Sequence, residues 1–158
     1  MFHMNDLVNI FMKELSMGHP LPQSLNAALA ASINLKLQAK QAHWNIRGAN
    51  FIPWHELLDK VAAAADEAAD ALAERNVQIG HMALGLTQHL TASHDLSFSH
   101  SIVEHVHAVV SSLRHLNSAL KTVIKDAQNA EDDVSADLAT SLLGDMDKLV
   151  WFITAHEV

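Results

Sequence analysis

The chain has 158 residues, 49% of them hydrophobic and 18% charged, which suits one domain with its own core. It has no cysteine, so disulfides and thiolate metal sites are excluded, and its five Gly and three Pro favour helices over sheets. The formal net charge of -8 repels phosphate backbones unless cations cluster, and the first 35 residues hold only one, Lys13.

A short amphipathic leader opens the chain over residues 1–20, with Leu7, Val8, Ile10, Phe11, Met12 and Leu15 as its apolar side. It lacks the pattern of a signal peptide, and no apolar run is long enough to span a bilayer, so a cytoplasmic protein is expected. A first long helix is predicted from about Pro22 to Ile46, with Leu25, Ala28, Leu29, Ile33, Leu35 and Leu37 on its apolar face and Gly48 as its stop. A second starts near Pro53, a residue suited to a first turn, and runs through an alanine-rich stretch to Ile79 before Gly80. A long crossover follows, with one short helix expected around Leu86 to Leu90.

The third helix is predicted over roughly Ser99 to Gln128, with Ile102, Val103, Val106, Val109, Val110, Leu113, Leu116 and Leu120 along one side. After the acidic connection NAEDDVSAD a fourth covers about Ser135 to Ala155, its stripe formed by Leu138, Leu142, Leu143, Met146, Leu149, Val150 and Phe152. Four long helices with the long link between the second and third imply a single all-α domain over residues 1–158. The expected architecture is an up-down-down-up four-helix bundle, the arrangement of ferritin-like folds.

Twelve histidines stand out, because imidazole is the commonest metal ligand, although most are expected to be ordinary surface residues. His55 and Asp59 are four apart on the second helix, and so are Asp70 and Glu74. The two pairs cannot meet on one straight helix: even Asp59 and Asp70 are ~16 Å apart along the axis. Two copies of that helix, antiparallel about a two-fold axis near residues 64 and 65, place His55 and Asp59 of one copy opposite Asp70 and Glu74 of the other. The sequence there is VAAAAD, whose small side chains permit close approach. The imidazole and carboxylate donors suit Fe(II), Mn(II) or Zn(II) better than Ca(II), and His43 could complete the first half-site. The competing reading of these acids is a solvated helix face.

The residues KQAHWNIRGANFIPWHELLD, followed by D-x-x-x-E-R at Asp70, Glu74 and Arg75, then VQIG, ALGLTQ and DKLVWFITAH, resemble the Dps family. These are mini-ferritins, also called DNA-binding proteins from starved cells, and the likeness extends from about Leu25 to the C-terminus. It implies a ferroxidase that oxidises Fe(II), preferably with hydrogen peroxide, and stores ferric mineral in a hollow homo-dodecamer. The family's ligands fall on His43, His55 and Asp59 of one subunit and on Asp70 and Glu74 of its neighbour, with Zn(II) or Mn(II) as substitutes for iron. Trp44 matches a tryptophan that intercepts oxidising equivalents beside the centre; its alternative role is packing at the helix end. Asp133 and Asp137, four apart, match acids that line an iron-entry pore, while Glu131 and Asp132 read as ordinary surface charge.

The chain departs from the family's name. Its leader has a single lysine and its C-terminus is not basic, so no strong DNA binding is expected at neutral pH, with His3 and His19 leaving room for weak association in acid. The alternative function is a nucleoid-binding stress protein with secondary iron binding. Glu104 and His107 form a lone E-x-x-H, which within one subunit needs a second copy to build a di-iron centre; none is found, so the pair reads as chance.

Overall fold

A computed structural model describes residues 20–86 and 100–156. Every regular element among the described residues is an α-helix: α1 (Leu21–Asn45), α2 (Phe51–Gln78), α3 (Ile102–Asn129) and α4 (Asp133–Thr154). The leader, apart from Pro20, and nearly all of the short crossover helix expected at residues 86–90 fall outside the described residues.

Contacts at the helix ends fix the topology. The rings of His43, late in α1, and His55, early in α2, are stacked, so these helices run antiparallel. Trp54, early in α2, meets His156 just beyond α4, while Arg75, late in α2, reaches Asp132 just before α4. Thus α2 and α4 are also antiparallel. His100, just ahead of α3, hydrogen-bonds the Asn45 carbonyl at the end of α1. Therefore α2 and α3 are parallel, as an up-down-down-up bundle requires.

One core fills the space between the helices. Leu25, Leu35, Leu58, Leu72, Leu113 and Leu116 are fully buried in it, each stabilising the fold by about 2 kcal/mol relative to an exposed side chain. Buried serines turn inward where the backbone accepts them: the Ser32 hydroxyl donates to the Ala28 carbonyl at 2.9 Å. At the opposite end from the stacked histidines, Asn76 donates to the carbonyls of Pro22 and Met82, and Asn26 accepts from the Leu84 amide.

Several face assignments differ from the sequence reading. Leu37 is 53% exposed and Val103 is also exposed, so neither belongs to the core. In α4 the buried line runs through Ser135, Ala139, Met146, Leu149 and Ile153, with Leu138, Leu142, Leu143, Val150 and Phe152 only half-buried beside it. The alanine run is split: Val61, Ala62 and Ala65 are buried in the chain's own core, and only Ala63 and part of Ala64 face outward. A close approach by a second α2 would therefore rest on these two alanines rather than on the whole run. Among the histidines, His105 is buried, being 1% exposed in α3.

Candidate metal centre

The α1–α2 connection is short because Ile46 leaves the helix in an extended conformation and buries its side chain. Gly48 follows with φ +127°, a conformation L side chains rarely adopt, and the turn it opens leads to Asn50, the residue ahead of α2. Gly48 thus starts the turn into α2 rather than ending α1. Pro53 lies in the first turn of α2, where its missing N–H costs no helical hydrogen bond.

That connection faces His43 and His55 toward each other. Nδ1 of His43 lies 2.9 Å from the His55 carbonyl oxygen, and Nδ1 of His55 lies 3.0 Å from the His43 carbonyl oxygen. A carbonyl can only accept, so each imidazole carries a hydrogen on Nδ1, and its neutral form has the Nε2 lone pair for a metal. The rings stack with centroids 3.6 Å apart and 20° between planes, and Phe51 packs on His55 at 4.8 Å. Backbone carbonyls that fix the tautomer and ring orientation are the support that metal-binding histidines ordinarily have. The donor set therefore fits a divalent transition metal.

Asp59 lies one turn beyond His55, exposed, and its carboxylate is ion-paired with the Lys40 ammonium. The Lys40 hydrogen bond holds the Asp59 carboxyl below the ordinary carboxylate value, against the opposing effect of desolvation and with added help from the charges of Lys40 and the neighbouring histidines. A second lysine of α1 makes the same reach, Lys36 to Asp66 at 2.7 Å. Asp70 and Glu74 are exposed on the outward side of α2, and their carboxylates make no hydrogen bond or ion pair among the described residues. No three His, Asp or Glu side chains converge on one point among the described residues. One chain thus brings His43 and His55 together but leaves Asp70 and Glu74 far along the helix.

Trp44 is 67% exposed, so the alternative of packing at the end of α1 is not what the single chain shows. Asp133 is the first residue of α4 and Asp137 lies one turn on, both exposed.

Asp132, read from the sequence as ordinary surface charge, is instead the anchor of this region. Arg75 Nη2 donates to both its carboxylate oxygens at 2.8 and 2.9 Å, and Arg75 Nε donates to the Ser135 hydroxyl at 2.8 Å. The Ser135 hydroxyl and amide in turn donate to Asp132, which caps α4. The arginine and aspartate side chains are only 16% and 18% exposed. Burial pushes the Asp132 carboxyl up, but the Ser135 bonds and then Arg75 outweigh it, and the net value is lowered. Arg75 and Lys40 lie within the sequence motifs, but the motifs assign them no role. An N-cap pattern, Asp132 with Ser135 three residues later, was the available signal for the first clamp.

Residues 23–157 match the family model of the Ferritin-like domain. The DNA protection during starvation protein of Agrobacterium fabrum is 38% identical over 136 residues, covering 84% of this chain and 84% of that protein. Among solved structures, Dps from Microbacterium arborescens in the high iron form superposes with a TM-score of 0.77 at 33% identity, covering 85% of this chain and 90% of that one. DpsC from Streptomyces coelicolor gives a TM-score of 0.81 at 28% identity over 87% of this chain and 83% of that one. On the strength of the family model and these relatives, the chain belongs to the Dps family of ferritin-like proteins.

Proposed function

We propose that the protein is a ferroxidase that oxidises Fe(II) with hydrogen peroxide at a centre shared by two copies and stores the ferric product inside a homo-dodecamer. The observation that carries this reading is the reciprocal pair of Nδ1–carbonyl hydrogen bonds, which orients two stacked imidazoles with their Nε2 lone pairs available. In this reading His43, His55 and Asp59 of one copy bind Fe(II) together with Asp70 and Glu74 of a second. Imidazole nitrogens suit the ferrous ion, and hard anionic carboxylates favour the ferric product, so the donor set draws the reaction forward.

The electron balance sets the need for paired substrate ions. Peroxide takes two electrons and two protons as its O–O bond breaks, giving two waters, and two Fe(II) supply one electron each. A lone ion supplies only one and would leave a hydroxyl radical. Trp44 is the nearby oxidisable ring that would intercept such a radical, and its exposure in the single chain leaves it free to face the shared centre. Asp133 and Asp137 are the acids that would concentrate Fe(II) at an entry pore.

Strong DNA binding at neutral pH is not part of this reading. With a net charge of -8, the chain has ten Lys and Arg, and Lys36, Lys40 and Arg75 are already held by carboxylates. No helix among the described residues is long and apolar enough to cross a membrane, and the cytoplasm is the proposed location.

The test is anaerobic loading with Fe(II), followed by peroxide and measurement of ferric absorbance. Wild type should oxidise iron rapidly, while His43→Ala/His55→Ala and Asp70→Ala/Glu74→Ala should each fail. Reassembling a mixture of the two variants should restore part of the activity, because some interfaces then combine two intact half-sites. Wild-type rates in both variants would overturn the shared centre.

A further inference from the structure

We infer that Lys40 is a resident counter-cation of this centre, seated on Asp59 in the empty protein and displaced when a divalent metal binds. The inference rests on the reading of Asp59 as a ligand. Its own basis is the ion pair: the Lys40 ammonium, on a side chain 32% exposed, occupies the carboxylate that the centre would use. Lysine is suited to this, because its charge sits on a flexible four-carbon stem that can swing away without unfolding α1.

Charge gives the pair a purpose. Joining two copies brings Asp59 beside Asp70 and Glu74 of the other, three carboxylates with two imidazoles. Without a metal these anions repel, and a two-fold contact that excludes water strengthens the repulsion. Lys40 cancels one of the three charges while the centre is empty. Once a dication arrives, the same ammonium becomes a repelling neighbour and has to leave Asp59. Removing Lys40 should therefore act in opposite directions, tightening metal binding while weakening the empty assembly. A lysine with only a structural role would not produce that pair of effects.

Lys36 supplies the internal control. It also reaches from α1 to an acid of α2, Asp66 at 2.7 Å, but Asp66 is outside the proposed donor set. Lys36→Gln removes the same charge one helical turn away.

The experiment is calorimetric titration of the full-length assembled protein with Zn(II), which is redox-silent, paired with thermal melting with and without Zn(II). Binding is scored as the component lost in His43→Ala/His55→Ala. Lys40→Gln should bind Zn(II) about three- to tenfold more tightly at that component, as expected for an ion pair of modest strength whose loss also removes a repelling charge. Its empty form should melt a few degrees lower and show a larger rise with Zn(II). Lys40→Arg should stay within about twofold of wild type, since it keeps the charge and the ion pair. Lys36→Gln should leave the affinity unchanged.

Equal or weaker Zn(II) binding by Lys40→Gln overturns the inference and leaves the site standing. So does equal tightening by Lys36→Gln, which would mean diffuse surface charge rather than displacement. Zn(II) binding that survives His43→Ala/His55→Ala overturns the site, and the inference with it.

Discussion

The two ends of α2 are prepared to different degrees. At its start, His55 is locked to His43 by two hydrogen bonds and a ring stack, and Asp59 is held by Lys40. Toward its end, Asp70 and Glu74 stand exposed with no side-chain partner among the described residues. What is fixed there is the backbone, through Arg75, the residue directly after Glu74. In the proposed centre, the chain would pre-organise the directional donors itself and leave Asp70 and Glu74 to be placed by a second copy. The physical reason is that an imidazole binds through one lone pair and must be aimed, whereas a carboxylate accepts from many directions.

Substitutions at the two ends should separate these contributions. His55→Ala should lower peroxide-dependent iron oxidation about 100-fold or more and also destabilise the subunit by about 1–2 kcal/mol, because its hydrogen bond to His43 and the ring stack go with it. Asp70→Asn/Glu74→Gln should lose oxidation to a similar extent, while melting of the metal-free subunit shifts by no more than about 0.5 kcal/mol, as for exposed groups without partners. Equal stability losses at both ends would break the contrast.

The Arg75 clamp should be the largest purely structural contribution near the acidic end. Arg75→Gln leaves the Asp132 carboxylate partly buried without its cation, a loss of about 3 kcal/mol and about 6–12 °C in Tm for a chain of this size. Its pH dependence has a definite sign. The folded Asp132 carboxyl lies below its ordinary value, so the unfolded chain takes up that proton first as pH falls. The contribution is complete above about pH 4 and disappears as pH drops through the lowered folded value. Melting of wild type and Asp132→Asn across that range should converge on the acid side.

At the histidine end the corresponding backbone element is Gly48. A Cβ there would meet nothing closer than Ile102 Cδ1 at 4.0 Å, so the obstacle is conformational, with φ at +127°. Gly48→Ala should cost about 2 kcal/mol in thermal melting. It should also weaken Zn(II) binding, since the turn sets His43 against His55. Loss of stability with unchanged metal affinity would show that the two hydrogen bonds hold the rings without help from the turn.

The helices were legible because each has an apolar repeat near 3.6 residues, and the expected ends of the four fall within three residues of those observed. Facing was less legible. Leu37, Val103 and Trp151 are apolar yet exposed, and hydrophobicity alone cannot tell a core position from one covered by another molecule. The same ambiguity hid the buried line of α4, which runs through the small residues Ser135 and Ala139. The proposed ligands His55, Asp59, Asp70 and Glu74 could be proposed from sequence because they fall in two pairs four residues apart on one helix, with His43 added from across the turn. Lys40–Asp59 and Arg75–Asp132 could not, being pairs 19 and 57 residues apart that exist only once the helices pack.

The smallest effect concerns two helix ends with the same hydrogen-bond pattern and different residues. After α2, the amides of Gly80 and His81 bond back to the carbonyls of Val77 and Asn76, with Gly80 at φ +87°. After α3, the amides of Glu131 and Asp132 bond back to Gln128 and Ala127 in the same register, but the left-handed position, φ +56°, is held by Glu131. A glutamate there carries a Cβ penalty that glycine avoids, offset in part by glycine's greater freedom in the unfolded chain. Glu131→Gly should therefore stabilise by about 0.5 kcal/mol, raising Tm by 1–2 °C on the scale of about 2–4 °C per kcal/mol. If the helix-end hydrogen bonds impose this conformation, the gain should be the same in the Arg75→Gln background. If the gain vanishes there, the clamp forces Glu131 into its left-handed conformation, and the rigidity of the acidic end begins with Arg75.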